Sequence, residues 1–342
     1  MGKSYLLGAI LALSSVQPVA AADPVIVNDV YTRPAQLVDV GHGRRMNLYC
    51  TGEGSPSVIM DAGLGDSTIS WALVQPSISR HARTCSFDRA GLGFSDAATR
   101  SGTPEHAADD LHRLLQAAGV RPPYILVAHS SGGLNARVFA DRHRDEVVGM
   151  VMVEASHEDQ FTEGWAIGAP DQKEKYEKFL AEAHGCIALA EKGLQPGTPD
   201  FKRCVGDDSN PRYSDAINAA QRTYAVTPRW QKAVASEREN VASVSVEQVR
   251  ATRTSYGDMP LFVLIHSPYP KRDDETQVER DLRTLSWERL HTRMASMSTR
   301  GVNAIVPDSG HYIQYDHPQT VVDAVLQTIA IQGQAEASKT PR

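Results

Sequence analysis

Two adjacent serines separate a short apolar segment from a helical pattern in the stretch YILVAHSSGGLNARVFADRH. A strand that enters a helix through a tight turn leaves the central residue of the turn above the carboxyl edge of the sheet. Small residues are then needed two positions before and two positions after that residue. Around Ser130 these positions hold Ala128 and Gly132, whereas a centre at Ser131 would require a small residue in place of His129. The spacing predicts that Ser130 is a nucleophile and that the Ser131 backbone N–H faces an oxyanion.

A serine hydroxyl needs a base, and that base can come from the carboxyl end of another strand. In GVNAIVPDSGHYIQYDHP, His311 follows the last strand-like segment after a short glycine-containing loop, at the sheet edge expected for Ser130. Because the chain contains 12 histidines, the position of His311, and not its residue type, makes it the predicted base. We predict that His129 supports the turn from below and that His317 caps the helix beginning at Pro318.

Runs of Val, Ile and Leu alternate with helical patterns along most of the chain, which predicts an α/β fold with a parallel sheet covered on both faces. A hairpin is expected around Gly41-His42-Gly43. The alternation stops after the strand-like segment EVVGMVMVE and resumes at PLFVLIH. The predicted organisation is a core in two parts, residues 23–155 and 258–332. A helical insertion, residues 156–257, lies between them, and a disordered tail, residues 333–342, follows.

The N-terminal segment MGKSYLLGAILALSSVQPVAAAD has one lysine, a short apolar core and an alanine run. This layout is typical of a secretory signal peptide, and we predict that residues 1–22 are removed and that the protein is periplasmic or secreted. Four cysteines in an exported chain suggest two disulfides. Of the three possible pairings, regional grouping favours Cys50 with Cys85 and Cys186 with Cys204.

Composition excludes several other classes of protein. A net charge of -6 argues against a nucleic-acid partner, which would require a clustered basic face. The sequence has no run of 18 or more apolar residues, so no membrane span is predicted. No cysteine–histidine spacing indicates a metal centre, and the expected chemistry needs neither a metal nor an organic cofactor.

Five landmarks together resemble the α/β-hydrolase superfamily over about residues 37–331. They are the glycine loop DAGLGDSTISW, the turn DRAGLGFSD, the segment AHSSGG, the insertion after the sixth strand, and GHYIQYDHP. The resemblance implies a mostly parallel eight-stranded sheet with a helical cap after strand 6. It also implies a structural role for Asp88-Arg89 in the second landmark.

Transferred residue by residue, the resemblance makes Ser130 the nucleophile and His311 the base, with the backbone N–H groups of Leu64 and Ser131 as the oxyanion hole. The usual triad acid lies in a Gly-x-x-Asp pattern, but the corresponding residues here are His-Ser-Pro-Tyr at 266–269. Some branches, including haloalkane dehalogenases, place the acid at the end of the sixth strand, where this chain has Glu154. The remaining candidates for the acid are Asp273, Asp274 and Asp159.

The resemblance implies an exported serine hydrolase that cleaves a carboxylic ester or a lactone of a small-molecule substrate through an acyl-enzyme. Haloalkane dehalogenases and epoxide hydrolases use an aspartate nucleophile, so the serine at position 130 argues against both activities. One alternative is an amide or peptide hydrolase of the proline iminopeptidase type, with Glu158-Asp159 holding the substrate amine. Another is a non-catalytic binding protein on the same fold.

Overall fold

The structure is a computed structural model. It describes residues 25–167, 172–207, 209–252, 254–273 and 275–339. The predicted signal peptide, residues 1–22, and Asp274 lie outside the described residues.

Eight strands form one sheet in the order β1-β2-β4-β3-β5-β6-β7-β8. Their bounds are β1 Leu37–Asp39, β2 Arg45–Thr51, β3 Ser57–Asp61, β4 Thr84–Phe87, β5 Tyr124–His129, β6 Val147–Val153, β7 Leu261–His266 and β8 Gly301–Val306. Strand β2 pairs antiparallel with β1 and β4, and all other neighbouring strands pair in parallel. The predicted eight-stranded, mostly parallel sheet is confirmed.

Helices cover both faces of this sheet, as the alternating pattern predicted. Their bounds are α1 Gln75–Ile78, α2 Pro104–Ala117, α3 Gly132–Arg142, α4 Gln160–Ile167, α5 Gln172–Lys192, α6 Pro199–Val205, α7 Asp215–Ala225, α8 Pro228–Val241, α9 Val244–Arg250, α10 Gln277–Ala295, α11 Ile313–Asp316 and α12 Pro318–Lys339. Apolar residues of α2 and α3, such as Leu114 and Phe139, join one buried cluster. Residues of α1 and α12, such as Ile78 and Val325, join a second cluster, and each cluster also contains residues of the sheet.

The insertion between β6 and β7 contains helices α4 to α9, and its described residues include no strand. Helix α8 brings the insertion against the core, because Val234 and Trp230 pack with Leu64 and Leu92 in a small apolar cluster. The loops that follow β3 and β4 are therefore covered by the insertion.

Both predicted disulfides form. Cys50 and Cys85 lie directly opposite each other on β2 and β4, and the bridge Cys186–Cys204 joins α5 to α6. Two disulfides are compatible with an oxidising compartment outside the cytosol. Among the described residues, no helix combines the length and apolar character needed to cross a bilayer.

The C-terminus differs from the prediction. Helix α12 continues to Lys339, so the expected disorder from residue 333 is wrong for residues 333–339. The segment QGQAEASK contains mainly Gln, Ala, Glu and Lys, and these residues favour a helix even without a buried face. Residues 340–342 lie outside the described part of the chain.

Candidate active site

Ser130 occupies the sharp turn between β5 and α3. Its φ of 53° lies in the left-handed region, which a residue with a side chain rarely adopts unless its surroundings enforce it. Two hydrogen bonds to the chain around the end of β6 hold it there. The Ser130 N–H donates to the carbonyl of Val153 at 3.2 Å, and the Ser130 carbonyl accepts from the N–H of Ser156 at 2.8 Å.

Close packing explains the small residues around this turn. A Cβ on Gly132 would lie 2.7 Å from the carbonyl oxygens of both Asp61 and Ala62, so a side chain cannot be accommodated without moving backbone. Gly133 is equally constrained, since a Cβ there would lie 2.6 Å from Ala155 Cβ. The spacing around Ser130 predicted that position 132 needs a small residue, but it did not predict the same requirement at position 133.

His311 lies where the sequence placed it, in the loop between β8 and α11. Its Nε2 is 3.0 Å from Ser130 Oγ, within hydrogen-bond distance. The loop is held by the N–H of Gly310, which donates to Asp316 Oδ2 at 2.8 Å. The structure therefore brings together the predicted nucleophile and the predicted base.

His129, directly before Ser130, supports this loop. Its Nε2 lies 2.9 Å from the carbonyl oxygen of His311, and because a carbonyl can only accept, this nitrogen carries the proton. Burial, together with the nearby His311, lowers the pKa of His129 to about 3, so the ring is neutral. Its Nδ1 then presents a lone pair.

Glu154 is completely buried at the end of β6, with a positive φ of 47°. Its Oε2 accepts the backbone N–H of His266 at 2.7 Å, and its Oε1 lies 2.7 Å from His266 Nδ1. The hydrogen bond that a triad acid would accept from His311 is not formed among the described contacts, and His266 lies next to the Glu154 carboxylate instead. Strands β6 and β7 are parallel neighbours, so residues at their carboxyl ends meet.

Glu154 nevertheless acts on the predicted base. Burial lowers the pKa of His311 below its ordinary value, and the Glu154 carboxylate partly offsets this by raising it. His266 was not predicted to contribute to the site. The available signal was its position, because His266 ends the strand after which this family usually places its acid.

The other candidate acids are engaged elsewhere or lie in solvent. Asp159 forms ion pairs at 2.9 Å with Arg250 and with Arg293, and Asp273 is exposed. Glu158 is paired with Arg137. The suggestion that Glu158-Asp159 could hold a substrate amine is therefore not supported, because arginines already occupy both carboxylates.

Arg89 holds the loop after β3 that would form the oxyanion hole. All five of its N–H groups are used, and they donate to Asp61 Oδ1, the carbonyls of Ala62 and Gly63, and both oxygens of Glu237. Glu237 lies on α8 and also accepts the N–H of Gly65 at 2.9 Å. The structural role expected for Asp88-Arg89 agrees with these contacts.

The predicted oxyanion donors, the N–H groups of Leu64 and Ser131, make no hydrogen bond within the described part of the chain.

A cavity of about 700 Å³ opens beside His311. Its wall includes Asp66 from the loop after β3, Tyr224 and Trp230 from the insertion, and Tyr312 beside the predicted base. A substrate in this cavity would therefore lie between the core and the insertion.

One group of metal-ligating side chains occurs among the described residues, but it is remote from Ser130. The ligand atoms of His112, His143 and Glu146 lie within 4.8 Å of one another. The carbonyl of Glu146 accepts the N–H of Tyr124, which begins β5, whereas Ser130 follows the end of that strand. This group is therefore at the opposite edge of the sheet from the candidate active site.

Comparison with known proteins supports the same fold. Residues 56–192 match the family model for the alpha/beta hydrolase fold. Over these residues the chain is similar to the α/β-hydrolase superfamily, in agreement with its eight-stranded sheet. An uncharacterized protein of Bacillus subtilis (strain 168), YqjL, is 22% identical over 79% of this chain and 82% of its own length.

Two solved structures share the fold. A thermophilic esterase from Thermogutta terrifontis superposes with a TM-score of 0.59 at 18% identity, covering 87% of this chain and 98% of the esterase. A loop variant of the haloalkane dehalogenase DbeA from Bradyrhizobium elkanii gives a TM-score of 0.62 at 20% identity. The match covers 89% of this chain and 98% of the dehalogenase. Because esterase and dehalogenase activities occur on this fold, the residues of the site must decide the chemistry.

Proposed function

We propose that this α/β hydrolase is an exported serine hydrolase that cleaves carboxylic esters or lactones. The 3.0 Å approach of His311 Nε2 to Ser130 Oγ carries the proposal, because it joins a hydroxyl on a strained turn to a base. A serine nucleophile forms an ester intermediate with a carbonyl substrate and releases the alcohol.

In the proposed reaction, Ser130 Oγ attacks the carbonyl carbon while His311 Nε2 accepts the hydroxyl proton. The oxyanion binds to the N–H groups of Leu64 and Ser131, which have no acceptor within the described residues. When the tetrahedral intermediate collapses, protonated His311 donates its proton to the leaving alcohol. A water molecule, deprotonated by His311, then attacks the acyl-enzyme and releases the acid.

We assign Glu154 the role of the triad acid. Its buried negative charge favours the imidazolium form of His311 during the reaction, consistent with its effect on the pKa of His311. The backbone N–H of His266 holds Oε2, and His266 Nδ1 lies 2.7 Å from Oε1, so Glu154 acts on His311 as an oriented charge. The insertion would serve as the cap, since α7 and α8 form part of the cavity wall.

Hydrolysis of a p-nitrophenyl ester series from acetate to palmitate, together with labelling by a fluorophosphonate probe, tests this proposal. We expect turnover of at least one ester and covalent labelling that peptide mapping assigns to Ser130. Absence of both turnover and labelling would show that the chain is a non-catalytic binding protein. Labelling without turnover would show a live nucleophile and reject simple esters as substrates.

The pH dependence of kcat/KM should report on His311. The neutral ring is the active base, and burial lowers the pKa of His311 below its ordinary value, so activity is lost only as the pH falls through that lowered pKa. We expect the acid limb of a pH profile to have its midpoint below about 6.5. Glu154→Gln removes a charge that raises this pKa, so its midpoint should move to lower pH. An upward movement would contradict the role of Glu154.

A further inference from the structure

Asp66 places a carboxylate beside the proposed nucleophile. A Cβ on Gly63 would lie 3.0 Å from Asp66 Oδ2 and 3.2 Å from Ser130 Cβ, so both side chains surround the same glycine. Asp66 also lines the cavity that contains His311, and its side chain is 23% exposed. A ligand in this cavity can therefore contact Asp66 and His311 together.

The carboxylate of Asp66 has no positively charged partner among the described residues. The nearest guanidinium, that of Arg89, has all five N–H groups committed to other acceptors. His129 Nδ1 is 3.8 Å from Asp66 Oδ2 but carries a lone pair, and both of these buried atoms lack a hydrogen-bond partner. The hydrogen-bond partners of Asp66 are neutral, because the hydroxyl of Tyr312 approaches Oδ1 at 3.5 Å and the Ser70 side chain also forms a hydrogen bond with the carboxylate.

The charges around the loop after β3 do not balance. Asp61 and Glu237 both contact Arg89, and with Asp66 three carboxylates surround a single guanidinium. Burial raises the pKa of Asp66 to about 6, while Arg89 opposes the rise and Glu237 adds to it. Asp66 is then mostly ionised at neutral pH, and a negative charge next to a developing oxyanion opposes ester cleavage. A cation on the substrate would offset that charge.

The rest of the cavity is suited to a cation. Aromatic rings of Tyr224, Trp230, Tyr312 and Tyr315 contribute to its wall, and aromatic faces attract ammonium groups. Two arginines, Arg212 and Arg222, also line the cavity, and Arg212 forms an ion pair with Asp316 at 2.8 Å.

We propose that Asp66 binds a protonated amine of the substrate, so that the preferred esters carry an ammonium group close to the scissile carbonyl. The amine would contact Oδ1, the oxygen that faces Tyr312, because Oδ2 is buried. The statement about esters rests on the proposed serine hydrolase function, whereas amine binding at Asp66 can be measured independently of any reaction.

Binding is tested by calorimetry with benzylamine and with uncharged benzyl alcohol. We expect benzylamine to bind the full chain about tenfold or more tightly than benzyl alcohol, because a charge-assisted hydrogen bond contributes about 1.5–3 kcal/mol. Asp66→Asn should abolish this preference. Asp207→Asn is the matched control, since Asp207 lines the same cavity but is 80% exposed and pairs with Lys202. Equal binding of the two ligands, or loss of the preference in both variants, overturns the proposal.

Turnover is tested with the ethyl esters of β-alanine and of butyric acid, which have similar shapes but differ in the ammonium charge. Wild type should favour the β-alanine ester in kcat/KM by about tenfold or more, and Asp66→Asn should bring the ratio close to one. Equal turnover of both esters by wild type rejects the Asp66 site while leaving the serine hydrolase intact. Asp66-dependent binding of benzylamine without turnover or fluorophosphonate labelling supports the amine site and rejects the hydrolase function.

Discussion

Ser130→Ala should abolish ester hydrolysis, with kcat at least about 10³-fold below wild type. The substitution removes the oxygen that His311 activates at 3.0 Å while leaving the turn backbone and both glycines unchanged. Loss of the hydroxyl also removes the site of fluorophosphonate attachment. Parallel assays of turnover and labelling, with circular dichroism to verify folding, measure the effect.

Ser131→Ala is the matched control for that experiment. The two serines are adjacent, but Ser131 contributes a backbone N–H in the proposed reaction, and its side chain makes no capping hydrogen bond to α3. This variant keeps the N–H and should retain turnover within about a factor of ten of wild type, as expected when no reacting group is removed. Retained activity in Ser130→Ala, or equal losses in both variants, would contradict the assignment of the nucleophile.

Arg89→Met should lower the free energy of unfolding by about 3–5 kcal/mol, the range for breaking a buried ion pair from one side. Asp61 and Glu237 would lose their positive partner while remaining largely buried, and the loop carbonyls of Ala62 and Gly63 would lose their donors. Because Glu237 lies on α8, the variant also loosens the contact between the insertion and the core. Urea unfolding with both disulfides intact measures the change.

Arg45→Met provides the comparison for this stability measurement. Arg45 also pairs with an aspartate, Asp96, but at 3.2 Å and with 55% of the arginine side chain exposed. Exposed pairs contribute little, so we expect less than about 1 kcal/mol of destabilisation. If the two arginine variants lost equal stability, the Arg89 cluster would not anchor the loop.

Local sequence patterns were sufficient for the sheet and for two residues of the candidate site. Ser130 follows from the small residues that a strand-to-helix turn requires, and His311 from its position after the final strand. Both inferences depend on chain geometry over a few residues and on the rule that parallel strands end at one edge. The pairing of Cys50 with Cys85 was favoured by regional grouping alone, and the register of β2 and β4 places the two residues opposite each other.

The tertiary structure decided the contacts that join residues far apart in the chain. Glu154 meets His266 because β6 and β7 are neighbours, and Arg89 meets Glu237 because α8 packs over the loop after β3. No local periodicity encodes which carboxylate faces which cation across such separations. The lack of a positively charged partner for Asp66 among the described residues is the clearest example, since it follows only from counting the donors of Arg89 and the proton on His129. The sequence by itself thus determined the fold and the predicted nucleophile–base pair, whereas three-dimensional packing decided the charge distribution around them.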